Sequence, residues 1–262
     1  MSSTHFNLVK KNIVLYFTDD TNLPLLLANP VPKSIKLLRD YVCESTVNCT
    51  VFTSRGDLIV GCHEGIYVYD TIFDLNCCTT LPNVTAVATI NNKIYYIKTK
   101  GMDAEDSTVT LCDTDMFLAQ HNVLVVLPGE AERYSLAVGK KYICMTDKPV
   151  NTVSFYNLKG VGLWTVFLHY IPGAICTSPI EQAVFISDPD NNKVHKYSVK
   201  LETQKMDEVW QCTGDWTLPT QLCADLSGVL YVKGVDDRGS HHKAISIVSM
   251  EGMLRFLAYT HK

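Results

Sequence analysis

Any chemistry in this chain would have to come from a few polar clusters lying between apolar runs. His63-Glu64 and His241-His242 have metal-ligating character, and Asp19, Asp20, Asp147, Asp188 and Asp190 add carboxylates of the kind that bind divalent ions. None of them falls at a ligand spacing such as C-x-x-C or H-E-x-x-H, and adjacent histidines on a strand point to opposite faces. Nucleophilic catalysis has no signature either, since G-x-S-x-G, the P-loop and G-x-G-x-x-G are all absent. The 10 cysteines are scattered, with Cys77-Cys78 adjacent and Cys144 and Cys176 inside apolar runs. They read as free thiols in a reducing compartment, not as a disulfide frame or a zinc site.

Polar residues of this kind need a scaffold, and composition sets its class. A chain of 262 residues, 47% hydrophobic and 19% charged, can bury a substantial core. Its Tyr, Phe, Val, Ile and Thr content favours strands. The formal charge of −4 gives no general attraction to nucleic acid or to an anionic membrane surface. No apolar run approaches the ~20 residues of a membrane helix, and the start MSSTHFNLVKKN has no apolar signal core. A cytoplasmic location with no membrane segment is the expectation. The sequons at Asn48 and Asn83 would matter only in a secreted chain.

The stretch Gln182–Val199, QAVFISDPDNNKVHKYSV, shows how the polar groups are carried. An apolar run leads into Asp-Pro-Asp-Asn-Asn and then into an alternating run, which is the pattern of a strand, a turn and a strand. The pattern recurs. Phe6–Phe17, Val51–Cys62, Val87–Lys98, Leu136–Met145, Ile175–Ser187 and Cys223–Gly234 each hold a short apolar strand, a tight polar turn and a stronger apolar strand. The second strands begin at Ile13, Leu58, Ile94, Tyr142, Val184 and Leu230, at intervals of 36 to 48 residues. That is close to the spacing of propeller blades, roughly 40–50 residues.

Third strands follow at Leu23–Leu27, Ile66–Asp70, Thr108–Cys112, Thr152–Tyr156, Lys193–Val199 and Ala244–Ser249. Fourth strands follow at Ile35–Tyr41, Asn122–Leu127, Leu163–Leu168, Asp207–Cys212 and Met253–Ala258, with the weakest near Cys77–Leu81. Pro24 marks the first of the third strands as irregular or exposed. The expected fold is therefore all-β: one six-bladed β-propeller over residues 1–262, with four antiparallel strands per blade. The blades span approximately 5–41, 49–82, 84–128, 133–170, 173–213 and 220–259. Ala86, Ala88, Ala137, Ala174 and Ala224 suit first strands crowded at the centre of a ring. Since the first repeat owns all its strands, the expected ring closes end to end without strand exchange between the termini.

Asp188-Pro-Asp-Asn-Asn-Lys-Val after Phe-Ile-Ser resembles the NHL repeat, whose second strand ends in Asp before a short Asn-containing turn. Met145-Thr-Asp147 and Phe17-Thr-Asp19 partly repeat it, and Gly228-Val-Leu-Tyr-Val232 resembles the stretch that precedes that Asp. The signature is missing at Gly61-Cys62-His63 and Lys98-Thr99-Lys100. A kelch-like propeller is the rival, on the Tyr156…Trp164 and Tyr197…Trp210 spacings, but its paired glycines are absent. NHL propellers often stand at the C-terminus of tripartite-motif proteins, behind RING, B-box and coiled-coil modules. No zinc-spaced cluster or heptad run is present in these residues.

In a propeller the turns between second and third strands share one face with the connections between blades, and such loops on a rigid scaffold carry function. The leading expectation is a non-catalytic protein-interaction module, without cofactor, that holds a protein or peptide on that face. Arg238, His242, Lys148, Asp188 and His63 are the expected contacts. The long loops Lys100–Ser107 and Gly234–Lys243 are the expected specificity loops, because length beyond a tight turn serves no folding need. Trp164, Trp210 and Trp216 are expected to pack on edge strands. One alternative is a metal-dependent hydrolase of the lactonase or esterase type, with a divalent ion in the central channel. Another is single-stranded RNA binding, which needs basic, aromatic platforms and is disfavoured because acids outnumber bases in these loops.

Overall fold

The computed structural model describes residues 4–6, 13–17, 36–40, 47–70, 74–81, 83–100, 108–214, 216–225, 228–236, 243–248, 252 and 254–260. They form six antiparallel sheets, each built from one contiguous piece of chain. Sheet 1 holds β1 (Thr4–Phe6), β2 (Ile13–Phe17) and β3 (Lys36–Asp40). Sheet 2 holds β4 (Val47–Phe52), β5 (Leu58–Cys62), β6 (Ile66–Tyr69) and β7 (Leu75–Thr79). Sheet 3 holds β8 (Val84–Ile90), β9 (Lys93–Lys100), β10 (Thr108–Asp115) and β11 (His121–Leu127). Sheet 4 holds β12 (Tyr134–Val138), β13 (Tyr142–Asp147), β14 (Thr152–Asn157) and β15 (Gly162–Phe167). Sheet 5 holds β16 (Ile175–Thr177), β17 (Ala183–Asp188), β18 (Lys193–Lys200) and β19 (Lys205–Thr213). Sheet 6 holds β20 (Trp216–Ala224), β21 (Leu230–Asp236), β22 (Lys243–Val248) and β23 (Leu254–Thr260).

The strand order confirms the repeat in sheets 2 to 6 and corrects it in sheet 1. Lys36–Asp40, expected as a fourth strand, pairs directly with β2 through Ile13↔Asp40 and Val14↔Arg39. The third place in that ladder is therefore taken, and the expected strand at Leu23–Leu27 lies outside the described residues. The weakest expected strand does form, two residues early, as β7. The three tryptophans lie on edge strands of their ladders, as expected, though not on the same edge. Trp216 opens the innermost strand of sheet 6 and is 1% exposed, whereas Trp164 and Trp210 lie on outer strands.

The second strands explain why the repeat is apolar where it is. Along β9, Tyr95 and Ile97 pack in one core while Ile94 and Tyr96 pack in the other. Along β13, Ile143 and Met145 share the first of those cores, and Tyr142 and Cys144 enter the next. Along β17, Val184 and Ile186 face back toward sheet 4, while Phe185 faces sheet 6. Side chains alternate with a period of two, so a strand buried on both faces must be apolar at every position. The innermost strands β4, β8, β12, β16 and β20 neighbour one another in chain order, which stacks sheets 2 to 6 in sequence.

A second regularity is invisible in the sequence. The pairing of third and fourth strands slips by one residue at Val68/Tyr69, Leu111/Cys112, Phe155/Tyr156, Lys196/Tyr197 and Ile247/Val248. These are equivalent places in five sheets. Each slip leaves one extra residue on the outer strand, namely Asn76, Leu124, Leu163, Val209 or Arg255. Such bulges increase local twist and turn an edge strand away from flat pairing with another chain. Two glycines at positive φ use the same region. A Cβ on Gly160 would meet Leu124 Cβ at 2.7 Å, and one on Gly252 would meet the Trp210 ring at 2.9 Å. The third-to-fourth turn of sheets 4 and 6 thus lies against the outer strand of the sheet before.

Phe155 tests the interlock between sheets 4 and 5. Its ring stacks on Trp164 at 4.3 Å and 8°, meets Tyr142 at 5.7 Å, and is 1% exposed. Phe155→Ala is expected to cost about 3–5 kcal/mol, and Phe155→Leu clearly less, in denaturant unfolding. Equal losses for the two would contradict a close-packed inter-sheet core.

Candidate functional site

The turns between second and third strands are fastened to the connections between sheets. The His63 carbonyl accepts from Asn83 N at 2.8 Å, and the Asn83 carbonyl accepts from Thr99 N at 3.2 Å. Gly173 N donates to the Ser187 carbonyl at 2.9 Å, Ala174 N donates to Ser187 Oγ at 2.8 Å, and Thr146 Oγ1 reaches the Gly173 carbonyl at 3.5 Å. At the next joint Asn192 receives Trp216 Nε1 on its carbonyl at 3.2 Å and Leu218 N on Oδ1 at 2.8 Å. The described turns of sheets 2, 4 and 5 therefore stand at the same end of their sheets as the connections between sheets. Asn151 and Asn192, each just before a third strand, adopt φ of 54° and 56°, a left-handed state that Asn tolerates.

The two signature aspartates serve this fastening. Asp147 ends β13 and takes a two-pronged pair from Arg133, with Nε–Oδ1 at 2.8 Å and Nη2–Oδ2 at 2.9 Å. Asp188 ends β17 and accepts from Asn191 N at 3.2 Å and from Asn191 Nδ2 at 2.8 Å. It is only 2% exposed. Its carboxylate faces inward and shapes the turn, so the surface of that turn is presented by Asp190 and Asn191 instead.

Beneath Asp188 lies the best-developed ionisable cluster among the described residues, and no sequence motif announced it. His195, 1% exposed, places Nδ1 2.9 Å from Glu208 Oε1 and Nε2 3.6 Å from Asp188 Oδ2. Its ring stacks on Tyr170 at 4.4 Å and 13°, and on Tyr197 at 6.0 Å and 16°. The two phenols meet at 3.1 Å. Burial pushes the Tyr197 phenol up to about 12 and raises Tyr170 as well, so both stay protonated and act as hydrogen-bonding groups. The alternation of His195, Tyr197 and Val199 on β18 was legible in the sequence. That Tyr170 would close over them from the connection was not.

The expected contacts fall into three groups. His63 is exposed at the turn of sheet 2, beside exposed Glu64. Lys148 is half-buried at the turn of sheet 4, with Nζ 3.1 Å from the Glu132 carbonyl. Asp188 is buried, and Arg238 and His242 lie outside the described residues, as do the expected loop residues 101–107. The three described positions stand on different sheets at the same end. Among the described residues no three His, Cys, Asp or Glu side chains converge as a metal site, and no helix is long and apolar enough to cross a membrane.

The same end carries an apolar group that the polar reading passed over. Val150 is 49% exposed in the turn of sheet 4, Phe167 is 80% exposed at the end of β15, and Ile171 is 47% exposed in the following connection. Leu168 N donates to the Asn151 carbonyl at 2.7 Å and ties the first two segments together. Exposed His169 sits between Phe167 and Ile171. Large apolar side chains exposed together at one sheet end are the kind of feature that marks a contact surface. An apolar residue inside the polar Lys148–Asn151 turn was the available signal.

Asp188→Ala would strip the turn of its acceptor, and it is expected to cost about 1–3 kcal/mol in thermal unfolding. Asp190→Ala, exposed two residues on, is expected to stay within about 0.5 kcal/mol. Equal effects would deny Asp188 its structural role.

No protein-family model matches the chain, and no curated protein matches it in sequence. Solved structures do match. A protein of unknown function from Bacteroides caccae aligns with a TM-score of 0.66 at 11% identity, covering 98% of this chain and 93% of that one. A functionally unknown protein from Desulfotomaculum acetoxidans aligns with a TM-score of 0.62 at 13% identity, over 98% and 78%. Streptogramin B lyase aligns with a TM-score of 0.57 at 14% identity, over 80% and 68%. At such identities the likeness speaks to the fold alone: the chain has an all-β, β-propeller-like architecture.

Proposed function

We propose that this chain is a six-bladed β-propeller of NHL type, and that it works as a non-catalytic protein-interaction module. Its six sheets would be the blades, with the first closing against the sixth by packing. Each sheet comes from its own contiguous segment, which supports closure without strand exchange. The observation that carries the functional reading is the exposed group Val150, Phe167 and Ile171 on the end where turns and connections meet. A partner segment would seat an apolar side chain there, with Lys148 and His169 at the rim. Aromatic anchors on a rigid surface dominate binding energies of this kind. The ionisable groups beneath the turn of sheet 5 support the same reading, because His195 and Asp188 are sealed from solvent.

The test is capture of partners from the native cell extract by the wild type and by a Phe167→Asp/Val150→Asp pair. The pair is expected to lose recovery of the specific partner by about tenfold or more, with an unchanged unfolding temperature. Capture that survives the pair unchanged removes the proposed site. Capture abolished by nuclease would replace a protein partner with RNA.

A further inference from the structure

The innermost strand of sheet 6 breaks its ladder near the end where the chain enters it. Thr217 pairs with Val235 and Gln221 with Lys233, so Leu218, Pro219 and Thr220 stand opposite Gly234 alone. A Cβ on Gly234 would come within 2.6 Å of Trp216 Cβ, and the bulge depends on its absence. Within the bulge Leu218 adopts φ of 49°, a left-handed state that is costly for a bulky side chain. Its N–H is held there on Asn192 Oδ1 at 2.8 Å. The cost brings the leucine no burial: Pro219 is buried, while Leu218 is 49% exposed. Backbone strain that holds an apolar side chain out in solvent points to a contact role.

Leu218 does not stand alone at this end. Asn192, which fixes it, belongs to the turn of sheet 5, and Pro189 Cγ in that turn would lie 2.7 Å from a Cβ on Gly173. Gly173 follows Ile171 by two residues in the connection that leaves Phe167. One tract of surface therefore runs from Val150, Phe167 and Ile171, across exposed Asp190, to Leu218. It is apolar at both ends and anionic between them. Lys193, which follows the turn, is directed to Gln211 Oε1 on the outer strand at 3.1 Å. Lys148, in the same turn as Val150, sets a positive charge at the Phe167 end.

We infer that this tract takes an extended peptide segment in which a lysine or arginine is flanked on both sides by apolar residues. One apolar side chain meets Phe167, the other meets Leu218, and the cation lies over Asp190. Lys148 repels that cation from the Phe167 end and so fixes its place along the tract. The surface is the one proposed above for protein interaction, on which this partner chemistry rests.

Panning a random-peptide phage library against the whole protein, then measuring the synthesised peptides by fluorescence polarisation, tests this chemistry. Enriched peptides are expected to carry a basic residue between apolar ones and to bind more weakly as salt rises. Leu218→Asn supplies a residue that tolerates the left-handed backbone, and Asp190→Lys lies on an exposed turn, so both should keep the wild-type unfolding temperature. Each should weaken peptide binding by about tenfold or more. An acidic or purely apolar consensus overturns the inference, and so does a library that yields no binder. Peptides that lose binding with Phe167→Asp but ignore Leu218→Asn or Asp190→Lys overturn it while leaving the interaction surface in place. Binding that survives Phe167→Asp as well removes that surface with it.

Discussion

The second strand of each of sheets 2 to 6 sets the terms for its neighbours, because it is buried on both faces. Tyr95 and Ile97 serve one core while Ile94 and Tyr96 serve the other, and the same division recurs on β13 and β17. A strand committed on both sides cannot tolerate a slip of one residue, since the slip would exchange the two sets of side chains. It also leaves no free face for polar function. Polar chemistry is driven to the strand ends, and that is where Asp147, Asp188 and the fastening asparagines stand.

A strand that belongs to two cores also makes each sheet depend on its neighbours. Among the described residues the cores between sheets 2 and 3, 3 and 4, 4 and 5, and 5 and 6 each draw on both sheets, so stability is shared across consecutive interfaces, as expected of repeat architectures. The connections reinforce this at one end. Gly173 lies so close to Ser187 and Pro189 that an added Cβ would come within 2.5 Å of Ser187 Oγ. Close approach there lets one backbone segment bond to both sheets. Phe167 and Val150 stand exposed beside these fastened segments.

The fold was largely legible and the candidate site was not, for physical reasons. Strand, turn and repeat follow from local pattern, and the registers of sheets 2 to 6 agree with it. Sheet 1 departed because strand pairing is a long-range competition, and Lys36–Asp40 took the place beside β2. The polar reading named Asp188 for its exposed-looking Asp-Pro-Asp-Asn-Asn turn, yet its carboxylate folds back under that turn. It missed Phe167 because an apolar residue on a strand gives no sign of which end of the sheet it terminates.

What the sequence determined by itself was the class of local unit: six copies of a strand–turn–strand pattern, and a chain whose polar residues sit in turns. Periodicity and turn chemistry are local properties, so a single chain read in order contains them. Only the tertiary structure decided which ionisable groups meet. His195, Asp188, Glu208 and Tyr170 come from three strands and a connection, and their grouping depends on register, on the bulge at Lys196/Tyr197 and on the path of residues 168–174. The exposed apolar end of sheet 4 has the same origin. Phe167 ends β15 where the chain leaves the sheet, and it stands 80% exposed there.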